Sequence, residues 1–227
     1  MKKSHVYFIF CFCLFFATVA STAFSEKLTY KFDNLTFSKL QKQEIPLYST
    51  PVAEKQTEPL TEKQKYMHYF SAGDVDLQGV TLHSDGKNSY FFIAFSPDFS
   101  VLFWNGTPFL GDLTDFKRLK QEDKDALPGI VIPVTGKKGE LTVSFRCLMS
   151  KKNPKDGFQQ IGVFNENKEL IDLKFVDLIN KESDQTLKFE IPEGTQSVTL
   201  YMSQNRKKED PKIMIGMGIQ KITFKEK

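Results

Sequence analysis

The sequence predicts an all-β fold, a β-sandwich of the jelly-roll kind, and three observations carry that expectation. From Val75 to Phe224, apolar side chains recur at every second position in short runs. Turn signals rich in Gly, Pro, Asn and Asp separate those runs at intervals of about 8 to 12 residues. No segment after the first 25 residues carries a long helical period. Roughly nine or ten short strands follow, the number expected of a two-sheet sandwich.

Leu28-Thr29-Tyr30-Lys31-Phe32 alternates apolar with polar and reads as the first strand. Gln41 to Lys65 shifts to Gln, Lys, Glu, Thr and Pro, and predicts a long loop or tether over about 41–70, with a helical turn between Leu60 and Tyr69. Val80 and Leu82 predict a short strand, Tyr90 to Phe95 a more buried one, and Val101 to Trp104 the next, ended by the turn signal Asn105-Gly106. The charged stretch Gly111 to Leu127 predicts a short helix on an excursion from the sheet, and Gly129 to Val134 resumes an extended run.

The second half alternates more strictly. In Leu141 to Cys147 the odd positions are apolar and the even ones polar, which gives one buried and one wet face. Ile161 and Val163 open a hairpin turned at Asn165 to Lys168, with Ile171, Leu173 and Phe175 on the return. Leu187, Phe189 and Ile191 run up to the turn Pro192-Glu193-Gly194-Thr195. Val198, Leu200 and Met202 then define a buried face that leaves Thr199 and Tyr201 on the wet one. In the last strand, Ile213 to Phe224, Gly216 and Gly218 predict a bulge or bend.

Two lysines, an apolar run from Val6 to Ala20 and small residues after it have the layout of a secretory signal peptide over residues 1–25, cleaved after Ala23 or, by preference, after Ser25. The run falls short of the roughly 20 residues that a spanning helix needs. Residues 26–227 are then one β-sandwich domain, exported to the periplasm, the cell surface or the medium, with no transmembrane segment after processing. Cys11 and Cys13 lie inside the apolar run, not at its end, which argues against lipid attachment. Cys147 alone survives processing, so no internal disulfide forms and the core must hold the domain, as in a bacterial envelope or secreted protein. The formal net charge is +3 with both signs interspersed, and the short basic clusters sit beside turn residues, which excludes a nucleic-acid partner.

The order of pieces from Leu141 onward resembles the galactose-binding-type, carbohydrate-binding-module-like jelly rolls of secreted bacterial proteins. It comprises an alternating strand, the hairpin Ile161 to Phe175, the strand ending at Ile191, the Pro192 turn, Ser197 to Ser203 and the closing Gly218 to Phe224. Tyr30-Lys31-Phe32 resembles the strand with which such modules begin. The resemblance implies a non-catalytic binding domain for a polysaccharide or other glycan. Lys- and Glu-rich stretches stand where those modules carry Gly and Ser, and the Gly111 to Leu127 excursion is extra.

Sugar recognition without a metal uses an exposed aromatic face beside a few polar groups. The one tryptophan, Trp104, lies at a strand end, and Tyr90, Asp98 and Tyr201 are its candidate companions in a ligand site. The competing reading makes these rings core, as most phenylalanines of a sandwich are. Asp74 with Asp76, or Asp112 with Asp115, are carboxylate pairs, yet neighbours in charged loops are ordinarily just solvated. His68 and His83 belong to no ligand or triad spacing, and Cys147 falls on an apolar strand face as an inert thiol. No catalytic group and no cofactor is expected. Asp74, Asp76 and Asp98 leave room for a structural calcium ion. A structural or assembly role among envelope proteins is the alternative, with Leu28 to Phe32 as a strand that completes a neighbour's sheet. A polysaccharide-active enzyme, built on Asp112, Asp115 or Glu122, is the second alternative.

Overall fold

The computed structural model describes residues 25–33, 35, 37–43, 68–70, 74–83, 89–95, 100–106, 113–125, 127–149, 159–176, 184–204 and 215–227. The apolar leader, most of the 41–70 loop, Asp98 and Asp112 lie outside the described residues.

Two antiparallel sheets stack face to face. The strands are β1 Lys27–Lys31, β2 His68–Phe70, β3 Val75–Leu77, β4 Val80–His83, β5 Ser89–Phe95, β6 Ser100–Gly106, β7 Gly129–Pro133, β8 Gly139–Met149, β9 Gln159–Asn165, β10 Leu170–Val176, β11 Asp184–Ile191, β12 Ser197–Gln204 and β13 Ile215–Glu226. The first sheet has seven strands, in the order β11-β8-β13-β6-β5-β2, with β1 also on β13. The second has six, in the order β10-β9-β12-β7-β4-β3. From β7 onward the chain changes sheet at every connection except the β9–β10 hairpin. Those crossings make the interior a single core shared by both sheets.

The alternation in the sequence becomes that core. Leu141, Val143 and Phe145 of β8, Ile219, Ile222 and Phe224 of β13, and Phe189 and Ile191 of β11 meet Ile130, Ile132, Ile161, Val163, Val198, Leu200 and Met202 of the second sheet. Each fully buried side chain of this size contributes about 1.5–3 kcal/mol of transfer free energy. After β1 the chain turns inward, and Phe32, Leu35 and Leu40 (the last in the short helix α1, Phe37–Lys42) join the same core. Tyr30 closes the flank: its hydroxyl donates to the Pro133 carbonyl at 2.8 Å, across from one sheet to the other.

The Asn165 and Gly194 turns are where the sequence places them, whereas Asn105 and Gly106, expected as a turn, continue β6 because they pair with Tyr90 and Ser89 of β5. Asn165 Oδ1 accepts from the N–H groups of Asn167 and Glu169 at 3.0 and 2.9 Å, which fixes the β9–β10 hairpin. Gly194 takes a φ of +89°, and its N–H donates to the Gly136 carbonyl at 2.7 Å. Gln78 and Gly79, both at positive φ, make the two-residue turn between β3 and β4.

Three further local expectations are corrected. His68 and Tyr69 belong to a strand on the edge of β5, not to a helical turn, because pairing of His68 with Ala94 supplies hydrogen bonds that an isolated turn lacks. The bulge of β13 falls at Gln220, not at the glycines; Gly218 pairs regularly with Phe103 and Arg146. At that point β13 exchanges β6 for β1 as its neighbour, and the Gln220 carbonyl accepts the Phe32 N–H at 2.9 Å. In β10 the register shifts between Leu170 and Asp172, so Ile171 is an extra residue and the parity beyond it reverses. Val176 therefore reaches the core, while Phe175 stands outside, 63% exposed.

Candidate functional site

The two outer faces of the sandwich differ, and the difference decides where a ligand has access. On the second sheet, residues that alternate with the core point away from it: Gln160, Gly162 and Phe164 on β9, and Thr199, Tyr201 and Ser203 on β12. This face is covered by the Gly111 to Leu127 excursion. Leu113–Arg118 forms a 3-10 helix, and the short helix α2 (Gln121–Asp125) follows it. In a 3-10 helix residues three apart eclipse one another. Leu113, Phe116 and Leu119 therefore share one side, and with Leu127 they lie on Phe164 and Tyr201 to make a second, smaller core.

That cover is specifically built. The ring centroids of Phe116 stand 4.5 Å from Phe164 and 5.0 Å from Tyr201, and Phe164 meets Tyr201 edge-on at 5.3 Å. Glycines on the sheet make room for the rings. A Cβ on Gly162 would stand 2.7 Å from Phe164 Cε2, and one on Gly129 would stand 2.9 Å from Tyr201 Cε1. The buried Gln160 side-chain oxygen accepts from the Leu113 N–H and from the Ser203 hydroxyl, both at 2.9 Å. It satisfies a backbone donor at the helix start that has no partner within the helix. Tyr201, expected on a wet face, is thus 4% exposed. Alternation had turned it away from the main core correctly; the excursion then buried it.

The acidic candidates have local partners. Asp115 pairs with Arg118 at 3.0 Å, and Glu122 with Lys120 at 3.5 Å, all four of them on the solvent side of the cover. Asp74 Oδ1 lies 2.5 Å from His83 Nδ1, and Asp76 Oδ1 accepts from the Thr81 hydroxyl at 2.7 Å, at the β3–β4 edge of the second sheet. Among the described residues no three His, Cys, Asp or Glu side chains group as a metal site.

The outer face of the first sheet carries no such cover among the described residues. Across β1, β13, β8 and β11 its register sets Thr29 beside Thr223, Thr142 and Lys188, with Lys31, Lys221, Ser144 and Thr186 in the next row. On the other side of the threonine row stand Lys27, Lys225, Glu140 and Glu190. Lys188 donates to Glu140 Oε1 at 2.9 Å, and Lys227 pairs with Glu190 and, at 3.7 Å, with Glu140. The Lys188 hydrogen bond is the chief reason the Glu140 carboxyl is held below its usual range. Nearby, Glu226 is buried at 5% exposure, and its Oε2 accepts from the Glu26 N–H at 3.1 Å and Lys137 at 3.2 Å. The Glu26 N–H is the first cause of its lowered pKa, ahead of the Thr135 hydroxyl and Lys137. Thr135 Oγ1 and Glu226 Oε1 are buried and have no partner within hydrogen-bond geometry among the described residues.

Tyr90 and Trp104 lie on the same sheet. Trp104 is in register with Phe91 and Met217, and Tyr90 with Asn105, one step out of phase. The side chains of Tyr90, Trp104 and Cys147 and all of Asp98 fall outside the described residues. The structure therefore separates Tyr201 from this pair, on the other sheet. Sequence reasoning missed Gln160, Ser203 and the covering role of Leu113 and Phe116. The three-residue spacing of Leu113, Phe116 and Leu119 within a charged stretch was the available signal.

No protein-family model matches the chain, and no curated protein matches it in sequence. Among solved structures it is similar to the K1 cleaved adhesin domain of Lys-gingipain from Porphyromonas gingivalis W83, at 10% identity and a TM-score of 0.42, over 71% of this chain and 99% of that one. It is similar also to the CBM22-1 xylan-binding domain of Paenibacillus barcinonensis Xyn10C, at 12% identity and a TM-score of 0.36, over 66% and 88%. A DUF4465-family protein of Bacteroides ovatus matches at 11% identity and a TM-score of 0.36, over 89% and 99%. One of these three is a carbohydrate-binding module, and the ligands of those proteins remain theirs.

Proposed function

We propose that this chain is an exported, non-catalytic glycan-binding domain whose platform is the outer face of the seven-stranded sheet. The observation that supports this reading most is the contrast between the faces. One is sealed by an apolar cover; the other presents Thr29, Thr142, Thr223, Ser144 and Thr186 in rows on a rigid backbone, flanked by charged groups. Hydroxyl rows on a rigid sheet offer donors and acceptors in fixed positions, which suits a polyhydroxylated chain. Among the described residues, the candidate carboxylates Asp74, Asp76, Asp115 and Glu122 each have a local partner. Of the two candidate rings on this sheet we propose Tyr90 for stacking, because its position is one register step from the core residue Phe91, whereas Trp104 is in register with Phe91. Leu28 to Phe32, the strand of the assembly alternative, pairs on one side with β13 of its own chain.

Residues 26–227 titrated against plant, host and peptidoglycan polysaccharides by affinity electrophoresis should bind at least one of them. Tyr90→Ala should weaken that binding with the melting temperature nearly unchanged. Tyr201→Ala should do the reverse, lowering stability and sparing affinity in the fraction that stays folded. Absence of binding across the whole panel overturns the proposal.

A further inference from the structure

The first sheet distributes its charge unevenly. Towards β8 and β11, Lys188, Lys227 and Lys137 are each held by a carboxylate: Glu140, Glu190 or Glu226. Towards β1 the arrangement is different. Lys27 is directly opposite Lys225, and Lys31 directly opposite Lys221, with Thr29 opposite Thr223 between them. All four of these lysines are exposed, and among the described residues none is paired with a carboxylate. Glu140, the one acid in register beside Lys225, is already engaged by Lys188 and Lys227.

Like charges directly opposite on neighbouring strands repel, with their Cβ atoms about 5 Å apart. Protection of a sheet edge explains lysines on β1, which is an edge strand here. It does not explain Lys221 and Lys225, which sit on β13 between β1 and β8. An anion placed between the two ammonium groups of each pair would relieve the repulsion. At a strand rise of about 3.3 Å per residue the two pairs stand about 13 Å apart along the sheet, a span of a few sugar rings.

From this we infer that the β1–β13 face is a binding site for an acidic polysaccharide, a chain of uronate or sulfated sugars, each lysine pair clamping one anionic group and the Thr29–Thr223 row facing the ring between. The inference rests on the glycan-binding reading above and adds the charge class of the ligand and the residues that select it. A long polymer matches two clamps separated along one strand direction, whereas a small anion uses only one.

The test compares polygalacturonate with a neutral galactan of similar length, both titrated calorimetrically into residues 26–227. Polygalacturonate should bind at least tenfold tighter at low salt, and its affinity should fall steeply as salt is added. Lys31→Gln with Lys221→Gln should weaken it several-fold, and glutamine at all four positions at least tenfold, with an unchanged circular dichroism spectrum. The double variant leaves one clamp intact, so it still reports if the fourfold variant folds poorly. Equal affinity of the fourfold variant for polygalacturonate overturns the inference. If the wild type binds galactan as well as polygalacturonate, the acidic selectivity falls and glycan binding stands; if it binds neither, the acidic inference falls, and glycan binding falls with it only if the wider polysaccharide panel is also blank. Tighter binding to phosphatidylglycerol vesicles than to polygalacturonate would make the face a lipid-docking surface and overturn the inference too.

Discussion

The outer face of the six-stranded sheet and that of the seven-stranded sheet obey the same alternation yet have opposite fates. On the former, Phe164 and Tyr201 point away from the main core and are buried regardless, because Leu113, Phe116 and Leu127 fold back over them. On the latter, Thr29, Thr223 and the lysines point away from the same core and meet solvent. The period of two assigns a residue to a side of a sheet. Whether that side is wet depends on a segment far away in sequence that either returns to cover it or does not. The covered face gains a second apolar core, and the other face, uncovered among the described residues, is the one proposed above for a ligand.

The strongest way to break the comparison is to remove the cover. Phe116 is fully buried between Phe164 and Tyr201, so Phe116→Ala should cost about 3–5 kcal/mol in chemical denaturation and expose Tyr201 to solvent quenching. A loss under about 1 kcal/mol would show that the excursion rests on the sheet without stabilising it. Overfilling the same place should cost less. Gly162→Val forces Phe164 and Leu113 to shift, for about 1–3 kcal/mol, whereas Thr223→Val on the bare face should stay within about 0.5 kcal/mol.

The smallest effect sharpens the other side of the contrast. Folding lowers the Glu226 pKa, through the Glu26 N–H first, so its contribution is fully present above the unfolded-state glutamate pKa. That contribution is lost as pH falls through the lower, folded value. Wild-type melting temperature should therefore drop on acidification through the carboxylate range, and Glu226→Gln should flatten that drop while lowering stability near neutrality. Identical acid limbs for the two proteins would remove Glu226 from the account.

Much of the fold was legible residue by residue. Leu141, Val143, Phe145, Val198 and Leu200 were assigned to the interior from parity alone, and all are buried. The Asn165 and Gly194 turns were legible because their side-chain or glycine chemistry is local. Phe175 was not, because a single extra residue at Ile171 reverses parity and bulges leave little trace in composition. The β13 bulge was expected at glycines, but a change of neighbouring strand put it at Gln220. The candidate site was less legible still. Tyr201 looked available because no sequence pattern reports a cover, and the opposed lysines were invisible because Lys27 and Lys225 are brought together only by the pairing of β1 with β13.

By itself, then, the sequence determined the class of fold, the interior of most strands and the turns at Asn165 and Gly194. These depend on hydrophobic period and on backbone chemistry within a few residues. Only the tertiary structure decided which outer face is sealed, which lysines oppose one another and which acids are already paired. Each of those depends on contacts between residues far apart in the chain, whose register is set by packing the whole core at once.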